Sequence, residues 1–191
     1  LGMVGITSEQ IERVESILSG VQRGPEKVFF NVINRALDTV RAAAGRQIRE
    51  VYAIKQKDLR AESNIKLKKA SQTDLAGEIA FAGCKIPLYR FNVTPKQPTQ
   101  GVRVKAAVLQ SSAQTEFEHA FIARMQSGHV GMFERATAKH LPIDEFTGPS
   151  VAHMAGNSVV LEQVEKEAQE TIDKRIDHEI DRILSGYGGK S

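Results

Sequence analysis

Apolar residues recur at helical spacing at both ends of the chain and alternate with polar ones in its middle. Ile11, Val14, Ile17 and Leu18 keep the three-and-four spacing that predicts a short first helix. Thr7 stands where an N-cap belongs, Gln10 completes a capping box, and Ile6 is placed to staple onto Ile11. Gly20 is expected to end the element. A longer helix follows from Pro25, which suits a first turn because its missing N–H has no intrahelical acceptor there. Phe29, Val32, Ile33, Ala36, Leu37, Val40, Ala44, Ile48 and Val51 form its apolar stripe, and Arg35, Asp38, Arg41, Arg46 and Arg49 its polar face. A helix over 25–52 would be about 40 Å long at roughly 1.5 Å per residue. So wide a stripe requires a partner surface.

The period then changes. A short basic helix is predicted over 56–61, after which Ile65 and Leu67 alternate with Lys66 and Lys68. Strands are predicted over 75–81, 86–91, 102–109, 119–125 and 130–136. The stretch 92–101, with Pro95, Pro98 and Gly101, reads as a loop at a sheet edge, and 110–115 as a second polar loop. Gly148-Pro149-Ser150 is expected to launch a short helical segment through Met154, broken by Gly156-Asn157-Ser158. Beyond it Leu161, Val164, Ala168, Ile172, Ile176, Ile180 and Ile183 with Leu184 trace a narrow seam, with Glu162, Glu165, Glu170, Asp173, Asp177 and Asp181 off it. A seam of that shape belongs to a helix laid on another helix. The second helix is the best partner within the chain, a neighbouring subunit the alternative. Gly186 ends the helix, and 187–191 should be flexible. The pattern gives one α+β domain over 1–191: a helical N-terminal part (7–61), a β-rich middle (62–137) and a helical C-terminal part (148–186). The long terminal amphipathic helices are expected to pack on a small, mainly antiparallel β-sheet.

Composition narrows the picture. An apolar fraction of 41% with 6% aromatics and no Trp implies a core of Val, Ile, Leu and Ala. The single cysteine, Cys84, excludes an internal disulfide and a multi-cysteine zinc site. No apolar run approaches the roughly 18 residues that span a bilayer. The short apolar stretch 1–6 lacks a basic flank, so no secretion signal is expected. Net charge is only +3, but between Arg23 and Lys69 twelve cations face five acids, and from Asp144 onward the balance reverses. Opposite-signed ends suit head-to-tail or ring packing of identical subunits, or a basic face near nucleic acid; two ordinary solvated faces would read the same way.

Catalytic signatures fail in turn. No Gly-rich run opening a helix ends in Gly-Lys-Ser/Thr, and neither a dinucleotide fingerprint nor a G-x-S-x-G elbow occurs. His119, His129, His140, His153 and His178 are scattered without metal-ligand spacing. The carboxylates of the last helix are spaced as charge partners, such as Glu162 with Lys166 and Glu170 with Lys174. No enzyme, cofactor, metal or small-molecule substrate is expected. Nucleic-acid binding survives longer, because Lys55, Lys57, Arg60, Lys66, Lys68 and Lys69 could contact phosphates. No aromatic platform interleaves with them except Tyr52, and no helix-turn-helix is evident.

One ordered set of motifs is distinctive. Gly128-His129-Val130-Gly131-Met132-Phe133-Glu134-Arg135 is followed by Leu141-Pro142-Ile143-Asp144-Glu145 and then Phe146-Thr147-Gly148-Pro149-Ser150. Phe121-Ile122-Ala123-Arg124-Met125 precedes them. Upstream come Asn34-Arg35-Ala36, the basic turn 55–60, the stretch 65–70 and Ile86-Pro87-Leu88. In this order they resemble the minor tail protein Z family of lambda-like phages and prophages, from about Phe29 to the last helix. The resemblance implies a structural tail protein acting in tail completion and head–tail joining at the head-proximal end of the tail. It would be assembled in the host cytoplasm and work through other tail or neck proteins. Self-association, as a ring for example, and nonspecific contact with DNA are the further partners to expect, without a membrane. Gly128, His129, Gly131, Phe133, Arg135, Pro142, Gly148 and Pro149 are the expected structural positions. Phe133 should enter the core with Arg135 on the same side, Arg135 pairing with Asp144 or Glu145. Pro142 and Pro149 should fix the backbone that launches the final helices.

Overall fold

The computed structural model describes residues 4–99, 101–139 and 141–186. The expected tail 187–191 and His140 lie outside the described residues. The chain forms two compact units, each drawn from separate stretches. Of the described residues, 4–44, 65–80 and 158–186 make a helical unit, and 45–64 with 81–157 a β-rich one.

The helical unit holds α1 (Ser8–Ile17), most of α2 (Gly24–Val51) and α5 (Ser158–Leu184). The capping box at α1 is formed: the Gln10 N–H donates to Thr7 Oγ1 at 3.2 Å and the Thr7 N–H to Gln10 Oε1 at 2.9 Å. The helix stops at Ile17, three residues before Gly20, with Leu18 as its C-cap. One core joins the three helices: Val14 and Leu18, then Val28, Phe29, Val32 and Ala36 of α2, then Ile172, Ile176 and Ile180 of α5. Ile6, Ile11 and Leu75 pack against it. The α5 seam therefore meets the second helix within the chain. Its buried line begins at Val160 rather than Leu161.

A polar knot sits beside that seam. Glu179 is buried, and its Oε2 accepts from Asn31 Nδ2 of α2 at 2.9 Å. Arg175 and Arg182 flank it at 3.1 and 3.2 Å. A buried carboxylate is tolerable only with such partners.

The strand pair β1 (Asn64–Lys68) and β2 (Glu78–Ala82) contributes 65–68 and 78–80 to the same unit. Its connection is pinned to α2 by Asn34, whose amide accepts from the Ala70 N–H at 3.0 Å and donates to the Ala70 carbonyl at 3.3 Å.

The β-rich unit contains α3 (Gln56–Glu62), β3 (Lys85–Pro87), a 3-10 turn (Leu88–Arg90), β4 (Asn92–Thr94), β5 (Val104–Ala107) and β6 (Thr115–Phe117). It continues with β7 (Phe121–Arg124), β8 (Val130–Arg135), β9 (Ile143–Glu145), β10 (Thr147–Ser150) and α4 (Val151–Ala155). Its sheets run β10-β3, β4-β5-β6 and β7-β8-β9, all antiparallel. The last turn of α2 is tied in here: Ala53 and Gln110 donate to the carbonyls of Val108 and Val51 at 2.8 and 2.9 Å.

The fold is thus mixed helix and strand, as expected, but the arrangement of the strands and the start of one helix differ from expectation. Instead of one small sheet under the terminal helices, the strands form several short ladders. The predicted strand 86–91 splits because Pro87 brings no N–H to extend the ladder, and the chain turns at Leu88. The expected loop 92–101 opens with β4, paired to β5 from Asn92↔Ala107 to Thr94↔Lys105. The segment read as a helix start at Gly148 is β10, and the helix begins only at Val151.

Candidate functional site

The distinctive motif builds a hairpin. At its turn the Gly128 N–H donates to the Met125 carbonyl at 2.9 Å and the Met125 N–H to the His129 carbonyl at 2.7 Å. Gly128 adopts φ +84, a conformation side chains disfavour, so glycine fits the bend. β8 then pairs with β7 from Arg124↔Val130 to Phe121↔Phe133, and with β9 from Phe133↔Glu145 to Arg135↔Ile143.

Five side chains gather on one face of this sheet. Phe121 and Phe133 lie with centroids 6.2 Å apart, and His129 approaches Phe133 edge-on at 6.2 Å. His129 Nε2 bonds Glu145 Oε1 at 2.7 Å, both groups partly exposed. Gly131 stands beneath them. A methyl group there would strike Glu145 Oε1 and come within 2.8 Å of the Phe133 ring. Phe133 is buried with Arg135 on its side of the strand, but the register sets Arg135 opposite Ile143. Its guanidinium lies over the Phe121 ring at 5.4 Å in place of the expected acid.

The next motif joins directly. The Phe146 N–H donates to the Met132 carbonyl at 2.9 Å, and the Leu88 N–H donates to the Phe146 carbonyl at 2.8 Å. β10 pairs with β3 through Thr147↔Pro87 and Ser150↔Lys85, with a bulge between. Gly148 and Pro149 occupy that bulge, where a proline's missing donor interrupts least. A Cβ at Gly148 would meet the Phe91 ring at 2.7 Å, so glycine lets that buried ring close on the strand. Ser150 Oγ caps α4 by accepting from His153 N at 3.2 Å. Pro142 precedes β9 and its carbonyl accepts from Ala136 at 3.1 Å, so it leads into a strand, not a helix. The stretches singled out in the sequence, 86–88, 128–135 and 146–150, therefore interlock through main-chain bonds.

The basic residues divide between the units. Lys55, Lys57 and Arg60 are exposed in the β-rich unit, at and along α3. Lys66, Lys68 and Lys69 are exposed in the helical unit, where Lys68 pairs with Asp74 at 3.1 Å and Lys69 with Asp38 at 3.5 Å. Sequence reasoning missed two charged neighbours of α3. Asp58 is buried and holds Arg90 at 2.8 Å. Lys96 lies 5.0 Å over the Tyr89 ring and donates to the Phe91 carbonyl at 2.9 Å. Burial, then the like charge of Lys55, lowers the pKa of Lys96, while Asp58 works against them. Only the Tyr89–Lys96 spacing around a proline hinted at this clasp.

Among the described residues no group of three His, Cys, Asp or Glu side chains is placed to hold a metal, and no helix is long and apolar enough to cross a membrane. The helical unit carries an open groove of about 630 Å³ lined by Leu18, Val21, Arg23, Glu26, Phe29 and Leu75.

Compared with known proteins, residues 11–187 match the family model described as prophage minor tail protein Z (GPZ). No curated protein and no solved structure matches the chain.

Proposed function

Because the chain belongs to the prophage minor tail protein Z family, we propose that it completes the phage tail at its head-proximal end and prepares it for joining to the head. It does so through protein–protein contacts, with other tail or neck proteins and with copies of itself, and catalyses no reaction. The observation that carries this reading is the use made of the distinctive residues. Gly128, His129, Gly131, Phe133, Gly148 and Pro149 are spent on a turn, a His–Glu clasp, an aromatic pair and a bulge. Such a set stiffens a scaffold for docking.

The test is complementation of tail assembly. Tails made without this chain should fail to join heads, and adding the purified protein should restore joining. Normal infectious particles formed in its absence would defeat the proposal.

A second reading has one observation in its favour. Lys55, Lys57 and Arg60 are exposed and make no ion pair among the described residues. They are available to DNA phosphates during genome passage. Binding to duplex DNA should then weaken steeply with salt, and charge reversal at the three positions should flatten that dependence. Absence of binding at low salt removes this reading.

A further inference from the structure

We propose that the strand pair β1–β2 is the edge through which copies of this chain add to one another. β1 of one copy lies beside β2 of the next, and Lys66 faces Glu78 across the seam. The proposal deepens the self-association part of the function above and rests on it.

The first argument is main-chain supply and demand. A strand pair standing alone is marginal in water, and its outer rows of N–H and C=O groups are a template for another chain. In the β-rich unit such groups are used to join ladders, as Phe146 does between Met132 and Leu88. Among the described residues, β1 and β2 pair only with each other, and no further main-chain bond leaves either strand.

The second argument is charge. Lys66 and Glu78 are both exposed, and both line a shallow depression of about 250 Å³ with Leu67, Lys68 and Ala80. Neither makes an ion pair among the described residues, whereas Lys68 is taken by Asp74. One strand thus offers an unpaired cation and the other an unpaired anion. Pairing β1 with β1 would set lysines against lysines, and like charges across a ladder are unfavourable. Pairing β1 with β2 sets Lys66 against Glu78. That contact is head-to-tail, so every added copy exposes a fresh edge until the assembly closes as a ring. The half-buried Ile65, Leu67 and Ile79 extend the same strands with apolar side chains suited to a continued sheet.

Sedimentation velocity of the full chain over a wide concentration range tests the idea. The unaltered protein should self-associate. Lys66→Glu and Glu78→Lys should each weaken association roughly tenfold or more, since each puts like charges at the seam. An equimolar mixture of the two variants should recover it, because the reversed position in one copy meets the reversed position in the other. If the two charges acted only within one chain, mixing would restore nothing, and that result overturns the proposal. So does association of both variants at full strength. Hydrogen exchange at 64–68 should slow as concentration rises. This readout needs no variant, and unchanged exchange in an associating protein also overturns the proposal. A chain that stays monomeric sinks this edge while leaving the tail role to the head-joining assay.

Discussion

The Asn31 amide donates to the Glu179 carboxylate across 2.9 Å, joining α2 to α5 beside the apolar core of the helical unit. Glu179 is 1% exposed, so its charge depends on Asn31, Arg175 and Arg182. Glu179→Ala should cost about 3 kcal/mol, the low end for breaking a buried pair, because the two arginines still reach water. Asn31→Ala should cost less, about 1–2 kcal/mol. Urea unfolding followed by circular dichroism measures both; equal costs would show that the arginines contribute nothing.

Ile176 is almost wholly buried in that core, while Leu184 of the same helix is 57% exposed. Ile176→Ala should destabilise by about 2–5 kcal/mol through lost burial and a cavity. Leu184→Ala should stay within about 0.5 kcal/mol. The same unfolding measurement separates them.

Two glycines of the hairpin should respond to different substitutions. Gly128 has open space around its missing side chain and is constrained only by φ +84. Gly128→Asn should be tolerated better than Gly128→Val, since asparagine visits positive φ and branched residues do not. Gly131 is constrained by its neighbours, so Gly131→Ala should cost about 1–3 kcal/mol by displacing Phe133 and the Glu145 carboxylate. A shifted His129 ring resonance in the Gly131 variant, absent from the Gly128 variants, would trace the effect to the His129–Glu145 clasp.

Glu116 gives a pH dependence. Its hydrogen bond with Arg103 lowers its pKa, burial opposes that, and the charges of Arg103 and Lys105 add to the lowering. A carboxyl depressed in the folded state stabilises above its unfolded value and loses that contribution as pH falls through the folded one. Glu116→Gln should therefore lower the urea midpoint near neutrality and leave it unchanged in strong acid. The effect should be small, because the pair is exposed. A variant effect that persists in strong acid contradicts this origin.

The helices were legible because their signals are local. The Thr7–Gln10 box and the stripe from Phe29 to Val51 require only neighbours along the chain. β4, β6, β9 and β10 are three or four residues long, too short for alternation to register, and partners far along the chain decide them. Gly148-Pro149-Ser150 carries a true cap, Ser150, yet pairing with Lys85 and Pro87 turns the preceding residues into a strand. Register likewise decided Arg135: alternation put it beside Phe133, but only the β8–β9 pairing reveals Ile143 opposite and Phe121 beneath the guanidinium. Glu179 lies between Ile176 and Ile180, so helical periodicity alone left its burial undecided until α2 supplied Asn31.

The helical unit draws α1 and α2 from the start of the chain and α5 from its end. During synthesis, Val14, Val28 and Val32 leave the ribosome long before Ile172, Ile176 and Ile180, the residues that will cover them. At bacterial elongation rates that wait is on the order of ten seconds. A nascent copy thus carries bare apolar stripes until α5 emerges, and a ribosome stalled before α5 would release a chain prone to aggregate and dependent on chaperones.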